Sequence, residues 1–390
     1  VKVLDVKNEK IIEQIKTYLF ISAYSIWLVL AILVNNTLFS GYFTEGMVKY
    51  IRLLVIFMIL IKELIGLRLK SSDIWIMLLL FLFILSNLMT NTLMIGEVGL
   101  LIFSIRDIKF KKVIAMTLII QVLIAVTTVI ASKIGIIENR VFQDANRIRY
   151  GMGFSYATVL SIMYLYICAM YIYIRGDKMR LIESIFLLIG SVIIFDLTNT
   201  RNSFYLSVFL VVGSLLVKNK TFEDHLFKLP LSLSYSVLVV AACLLAIFYN
   251  PNNVIFRLLN NVFSGRLALG KIAINNYGIH ILGQKITFYG ASSSYNLLVK
   301  NEYNFIDSSY VQMLLVQGIL FTVIFVAFYT IIFKKIVLSR DKYLVIIIMC
   351  MELQCFSDPQ MLQLWYNPFL FLIGYIGVSK NMWGNQSKEL

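Results

Sequence analysis

The sequence predicts an all-α fold: a polytopic membrane helix bundle of about 12 transmembrane helices, with one long outer loop carrying short amphipathic helices. Three observations predict it. Of the 390 residues, 59% are apolar and only 14% charged, against about 25% charged in an ordinary soluble domain. That balance excludes a soluble globular enzyme and also a disordered or collagen-like chain. The apolar residues gather into long stretches, and a spanning helix needs roughly 20 of them. Only four prolines occur, so long unbroken helices are permitted.

In chain order the expected spans are Tyr18–Val34, Val48–Leu64, Ile74–Asn87, Met89–Ile105, Val113–Ala131, Tyr156–Ile174, Leu181–Thr198, Ser203–Val217, Leu231–Tyr249, Ser309–Phe333, Tyr343–Phe356 and Trp365–Val378. The first follows a polar, basic head (Lys2, Lys7, Lys10, Lys16) with no small-residue cleavage site after it, so it reads as an uncleaved span. The segment 74–105 has a short, uncharged linker and reads either as two spans or as one long helix with a re-entrant piece. Small basic clusters (Lys62, Arg68 and Lys70; Arg106, Lys109, Lys111 and Lys112; Arg175, Lys178 and Arg180; Lys334, Lys335, Arg340 and Lys342) fall between spans. They alternate with outer connections only if 74–105 crosses twice, which puts both termini in the cytoplasm of a multi-pass protein. The formal net charge of +14 therefore reads as orientation signal, because no Lys/Arg run exceeds two residues, and nucleic acid is not an expected partner. The four cysteines all lie in apolar stretches without a CxxC pair, and two histidines are too few for a His-rich metal site.

The outward basic residues are more informative. Arg147-Ile148-Arg149-Tyr150-Gly151-Met152-Gly153-Phe154 precedes the sixth span. In an extended stretch its two arginines point one way, and the glycines admit close approach to a ligand; a flexible basic hinge is the ordinary alternative. Gln143, Asp144 and Asn146 are polar partners. Thr198-Asn199-Thr200-Arg201-Asn202-Ser203 joins two spans so tightly that Arg201 sits at the bilayer surface, with Asp196 as a possible ion-pair partner. Arginine forms planar bidentate hydrogen bonds to phosphate, so these positions suit an anion.

Residues 250–308 form the long outer loop of an otherwise single membrane domain. Ile255, Leu258, Leu259 and Val262 fit a short amphipathic helix. A second helix starts at Ser264-Gly265, with Ser264 as its cap and Arg266 in its first turn, where backbone N–H groups favour an anion. Arg257 and Lys271 flank it as further cations, with interfacial roles as the alternative. His280 is either a packed residue or a general base. Asp307 either caps the next span or presents a carboxylate to the arginines. Tyr310 lies one turn on, as a substrate contact or an aromatic-belt residue.

The Arg-x-Arg-Tyr-Gly-x-Gly-Phe segment, the Thr-x-Thr-Arg-Asn-Ser hairpin, and a long outer loop with Ser-Gly-Arg and a closing Asp-Ser-Ser-Tyr together resemble the Wzy-type polysaccharide polymerases, in one superfamily with the O-antigen ligases. Many relatives place a His-Pro-Asn or Pro-Asn sequence after the Gly-Phe, where Ser155-Tyr156-Ala157 stands here. The resemblance implies a GT-C-like bundle acting without metal or cofactor on undecaprenyl-diphosphate-linked oligosaccharide repeat units in a bacterial cell membrane. It implies membrane lipids as surroundings, and a chain-length regulator and a flippase as companions. Arg147, Arg149, Tyr150, Arg201, Arg257, Lys271 and Tyr310 are then the expected diphosphate and substrate contacts, converging over a lateral cavity. Arg266, Asp307 and His280 are the expected catalytic residues, with Glu302 a further choice of base. An O-antigen-ligase-like transferase and a lipid-linked oligosaccharide flippase are the competing readings, and a scaffold without chemistry is a third. An Ile-, Lys- and Asn-rich composition points to an AT-rich bacterial genome.

Overall fold

The structure is a computed structural model that describes residues 2–65, 73–144, 147–288 and 305–378. In chain order it contains α1 (Lys2–Asn36), α2 (Glu45–Leu64), α3 (Ile74–Thr90), α4 (Leu93–Ser104), α5 (Phe110–Lys133), the strands β1 (Val141–Asp144) and β2 (Arg147–Tyr150), α6 (Ala157–Arg175), α7 (Leu181–Thr198), α8 (Arg201–Leu216) and α9 (Lys220–Lys228). It continues with α10 (Ser234–Ile247), α11 (Val254–Val262), α12 (Arg266–Tyr277), α13 (Ser309–Val316), α14 (Gly318–Leu338), α15 (Lys342–Ser357) and a 3₁₀ helix at Pro368–Tyr375. The chain divides into two compact units. One is drawn from Val1–Met77, Leu100–Val211 and Gly374–Leu390, the other from Leu78–Gly99 and Val212–Ile373.

The fold is all-helical apart from one hairpin. Among the described residues, five helices are long and apolar enough to cross a membrane: Lys10–Asn36, Phe110–Lys133, Ala157–Lys178, Leu181–Thr198 and Gly318–Leu338. A sixth qualifies if α8 and α9, which meet at 115°, count as one bent span. The other expected spans differ for identifiable reasons. Segment 74–105 is two helices parted by Asn91, whose φ of 53° is left-handed, and Gly99 lets α4 close on Phe83 of α3, where a Cβ would meet that side chain at 2.3 Å. Residues 365–376 are buried throughout and carry the 3₁₀ helix, so that stretch is apolar because it is core. A short apolar run signals burial as readily as a crossing.

In the first unit α1 packs on α2 and α5, and α6 packs on α5 and α7. Lys62, counted with the basic clusters of the inner side, is fully buried in α2. It donates to the carbonyl of Ser104 (2.6 Å) and to Glu63 (2.9 Å), and pairs with Asp107. Arg106 donates to the other Glu63 oxygen (2.6 Å), and Lys16 reaches Asp107 at 3.4 Å. Burial alone would raise the Asp107 pKa, but Lys62, Lys16 and Arg106 outweigh it and hold that carboxyl below its usual value. A depressed folded-state pKa contributes stability above the unfolded value, about 3.9, and that stability is lost as pH falls through the folded one. The thermal midpoint is therefore expected to drop on acidification below about pH 4, and Asp107→Asn to flatten that dependence. A wild-type acid limb unchanged by Asp107→Asn would contradict it.

In the second unit the expected span Ser309–Phe333 breaks at Gln317–Gly318. The ends of two helices then need hydrogen-bond partners, and the segment after α12 supplies them. Gln284 donates its backbone N–H to Val316 O (2.9 Å) and its side-chain amide to Leu315 O (3.2 Å). His280 O and Ile281 O accept from Ile319 N and Leu320 N, both at 3.0 Å. Gly318 has φ +88°, and a Cβ there would lie 2.3 Å from Gly283 N. Gly318→Ala is expected to cost about 1–3 kcal/mol from backbone strain alone, read as a lower unfolding midpoint of the detergent-solubilised protein.

Candidate functional site: two arginine constellations

The first constellation lies wholly in the first unit. β1 and β2 pair antiparallel, with Gln143 opposite Ile148 and Val141 opposite Tyr150. The strand is extended as expected, so Arg147 and Arg149 share a face while Ile148 and Tyr150 are exposed on the other. Tyr150 therefore faces away from the arginines. Gly151 and Gly153 admit the protein itself, which corrects the ligand reading. A Cβ on Gly153 would lie 2.9 Å from Thr128 O, and one on Gly151 2.9 Å from Phe154 O.

Arg149 is only 6% exposed. Its guanidinium donates to Thr198 O (3.3 Å), Thr200 Oγ1 (3.2 Å) and Tyr156 OH (3.3 Å), and stands 5.3 Å from the Tyr156 ring centre. Tyr156 thus serves here as an aromatic wall beside the guanidinium. Thr198 and Thr200 belong to the expected tight hairpin. α7 ends on Asn199 in the left-handed region (φ 47°), a conformation Asn tolerates, and α8 starts at Arg201. Arg201 is exposed and forms no ion pair with Asp196. No acidic residue occupies the first turn of α8, and Ser203 Oγ in that turn is buried with no hydrogen-bond partner.

The acceptors of Arg149 are all neutral, and no carboxylate among the described residues lies within ion-pair distance of it. An arginine does not shed its proton, and a buried charge without a counter-charge is costly. Arg149 and Arg201, beside the start of α8, are suited to an anion that supplies that charge.

The second constellation lies in the second unit. α11 forms as expected, capped by Asn253, whose side chain accepts from Ile255 N and Phe256 N, and Arg257 is exposed on it. Arg266 opens α12 as expected, but the cap is Gly265 (φ +87°) and not Ser264. Ser264 is itself left-handed at φ 53°, which does not fit a cap residue. Arg266 donates to Ser357 O and Phe263 O (3.3 Å), and its guanidinium stands 3.7 Å from Asp358 Oδ1 and 4.0 Å from Asp307 Oδ2. Asp307 therefore faces the arginine, and Ser308 takes the cap position of α13. The other Asp358 oxygen accepts from Gln354 Nε2 (2.9 Å), and the Asp358 carbonyl accepts from Ser309 Oγ (2.6 Å). Ser308 Oγ, Gln360 Oε1 and Asn367 Oδ1 are buried here without partners.

Several expectations change. Two carboxylates already balance Arg266, so it has little charge left for a diphosphate. Tyr310 is fully buried, with its hydroxyl donated to Glu352 O (2.7 Å), and touches neither the surface nor a substrate. Lys271 donates to Ile247 O (2.7 Å), where it caps α10. His280 is exposed, with Nε2 3.1 Å from Tyr277 O, and among the described residues no carboxylate orients its ring. Glu302 and Asn146 lie outside the described residues. Sequence reasoning missed Asp358, although a Ser-Asp-Pro-Gln break directly after an apolar stretch is a legible signal.

Comparison of the chain with protein-family models, with curated proteins and with solved structures returns no match.

Proposed function

We propose that the chain is a membrane glycosyltransferase. It joins undecaprenyl-diphosphate-linked oligosaccharide repeat units into a capsular or O-antigen-type polysaccharide on the outer face of a bacterial cell membrane, as its resemblance to the Wzy-type polymerases implies. The observation that carries the reading is Arg149, a buried guanidinium held by neutral acceptors beside the start of α8. In the reaction an acceptor hydroxyl attacks the anomeric carbon of the donor glycan. The bond from that carbon to the diphosphate oxygen breaks, and the diphosphate leaves with the electron pair. Arg149 and Arg201 stabilise the charge that grows on the leaving group, a role that needs no metal. The proton of the hydroxyl goes to a carboxylate. In this reading the shorter apolar helices add further crossings to those five or six, with both termini cytoplasmic.

A second reading, a flippase for the same lipid-linked glycan, draws support from the broken α13–α14 pair, since interrupted helices are common at transporter binding sites. Gene deletion with complementation separates the readings. Loss of the glycan ladder, with single repeat units displayed outside, supports the polymerase. Repeat units held on the inner leaflet support the flippase, and long chains that stay lipid-linked support a ligase.

A further inference from the structure

Glu352 lies in the middle of α15, in a stretch whose other residues are nearly all apolar, and is only 1% exposed. One carboxyl oxygen accepts a hydrogen bond from Ser234 Oγ of α10 at 2.6 Å. The other oxygen has no partner. Around it stand Tyr235 of α10, Tyr310 of α13, Tyr329 of α14 and, one turn along its own helix, Cys355. The tyrosine rings form a closed wall, with centroids 5.6 Å apart for Tyr235–Tyr310 and 4.1 Å for Tyr235–Tyr329. The Tyr235 hydroxyl is buried without a partner, and the Tyr310 hydroxyl goes to the backbone of Glu352. Among the described residues, no Lys, Arg or His pairs with Glu352.

We propose that Glu352 is a proton-binding site in the interior of the second unit, neutral at rest and able to exchange its proton. An ionised carboxylate here would have one oxygen bare and no cation, a state far costlier than the acid. The neutral acid fits the contacts: its carbonyl oxygen takes the Ser234 hydroxyl, and its O–H occupies the oxygen that has no donor. The Tyr235 hydroxyl is the nearby polar group with open hydrogen-bonding capacity. Glutamine or leucine would fill the same space with no ionisable group, and intramembrane acids are kept where protons or ions are handled. The inference does not depend on the transferase reading.

Infrared difference spectra of the full chain in lipid nanodiscs, wild type minus Glu352→Gln, test it. The expected result is a protonated-carboxyl C=O band at neutral pH that is lost in the variant. The band should shift in heavy water and convert reversibly to carboxylate at alkaline pH. Carboxylate bands at neutral pH would overturn the proposal. So would a protonated band that neither exchanges nor titrates, which marks a sealed structural acid. Conversion to carboxylate on adding sodium or potassium at constant pH would instead mark a metal-cation site and also overturn it. If Glu352→Gln does not fold, Ser234→Ala serves, because losing that hydrogen bond shifts the same band to higher frequency. An unshifted band would then count against the assignment.

Discussion

Arg149→Ala is expected to reduce the proposed polymerisation on the order of 10²–10³-fold, the usual loss when one preorganised donor to a developing oxyanion is removed. Arg149→Lys should recover only part of it. Three separate nitrogens of the guanidinium reach Thr198 O, Thr200 Oγ1 and Tyr156 OH; a single ammonium cannot hold all three and still face a ligand. Removing a buried, uncompensated charge should leave the unfolding midpoint unchanged or higher. A collapse of stability would mean that the arginine holds the hairpin to α7 and nothing more. Inorganic pyrophosphate is the binding probe. It should raise the midpoint of the wild type by mass action and leave that of Arg149→Ala unmoved. The same rise in both proteins would remove the anion role.

Asp307→Asn is expected to change stability little, because its side chain is 22% exposed and 4.0 Å from Arg266. Asp358→Ala should do more to the fold. It deprives Arg266 and Gln354 of a shared acceptor, at roughly 1–3 kcal/mol. Asp358→Asn keeps an acceptor for Gln354 and should restore most of the stability. Unfolding midpoints of the variants separate the two carboxylates. Equal stability loss at both positions would contradict that difference.

The polar positions that sequence reasoning placed well are those fixed by their neighbours in the chain. Arg147 and Arg149 share a face because extended strands alternate. Arg201 sits at a helix start because Asn199 turns the chain within two residues. Arg266 opens a helix because Gly265 breaks the one before it. The positions that went astray depend on partners remote in sequence. Tyr310 is turned inward by Glu352, Lys271 is drawn to the end of α10, and Asp358 meets Arg266 from 92 residues away.

Composition and periodicity by themselves determined that this is a helical chain with apolar, membrane-length segments, and where most helices begin and end, because burial in apolar surroundings and local capping act over a few residues. Only the tertiary structure decided which charges are compensated. Lys62 and Arg106 are consumed in a buried network, Arg266 is balanced by two aspartates, and Arg149 is left with neutral partners alone. Electrostatic compensation depends on distances of a few ångströms between groups far apart in the chain, and spacing along a sequence does not carry that information.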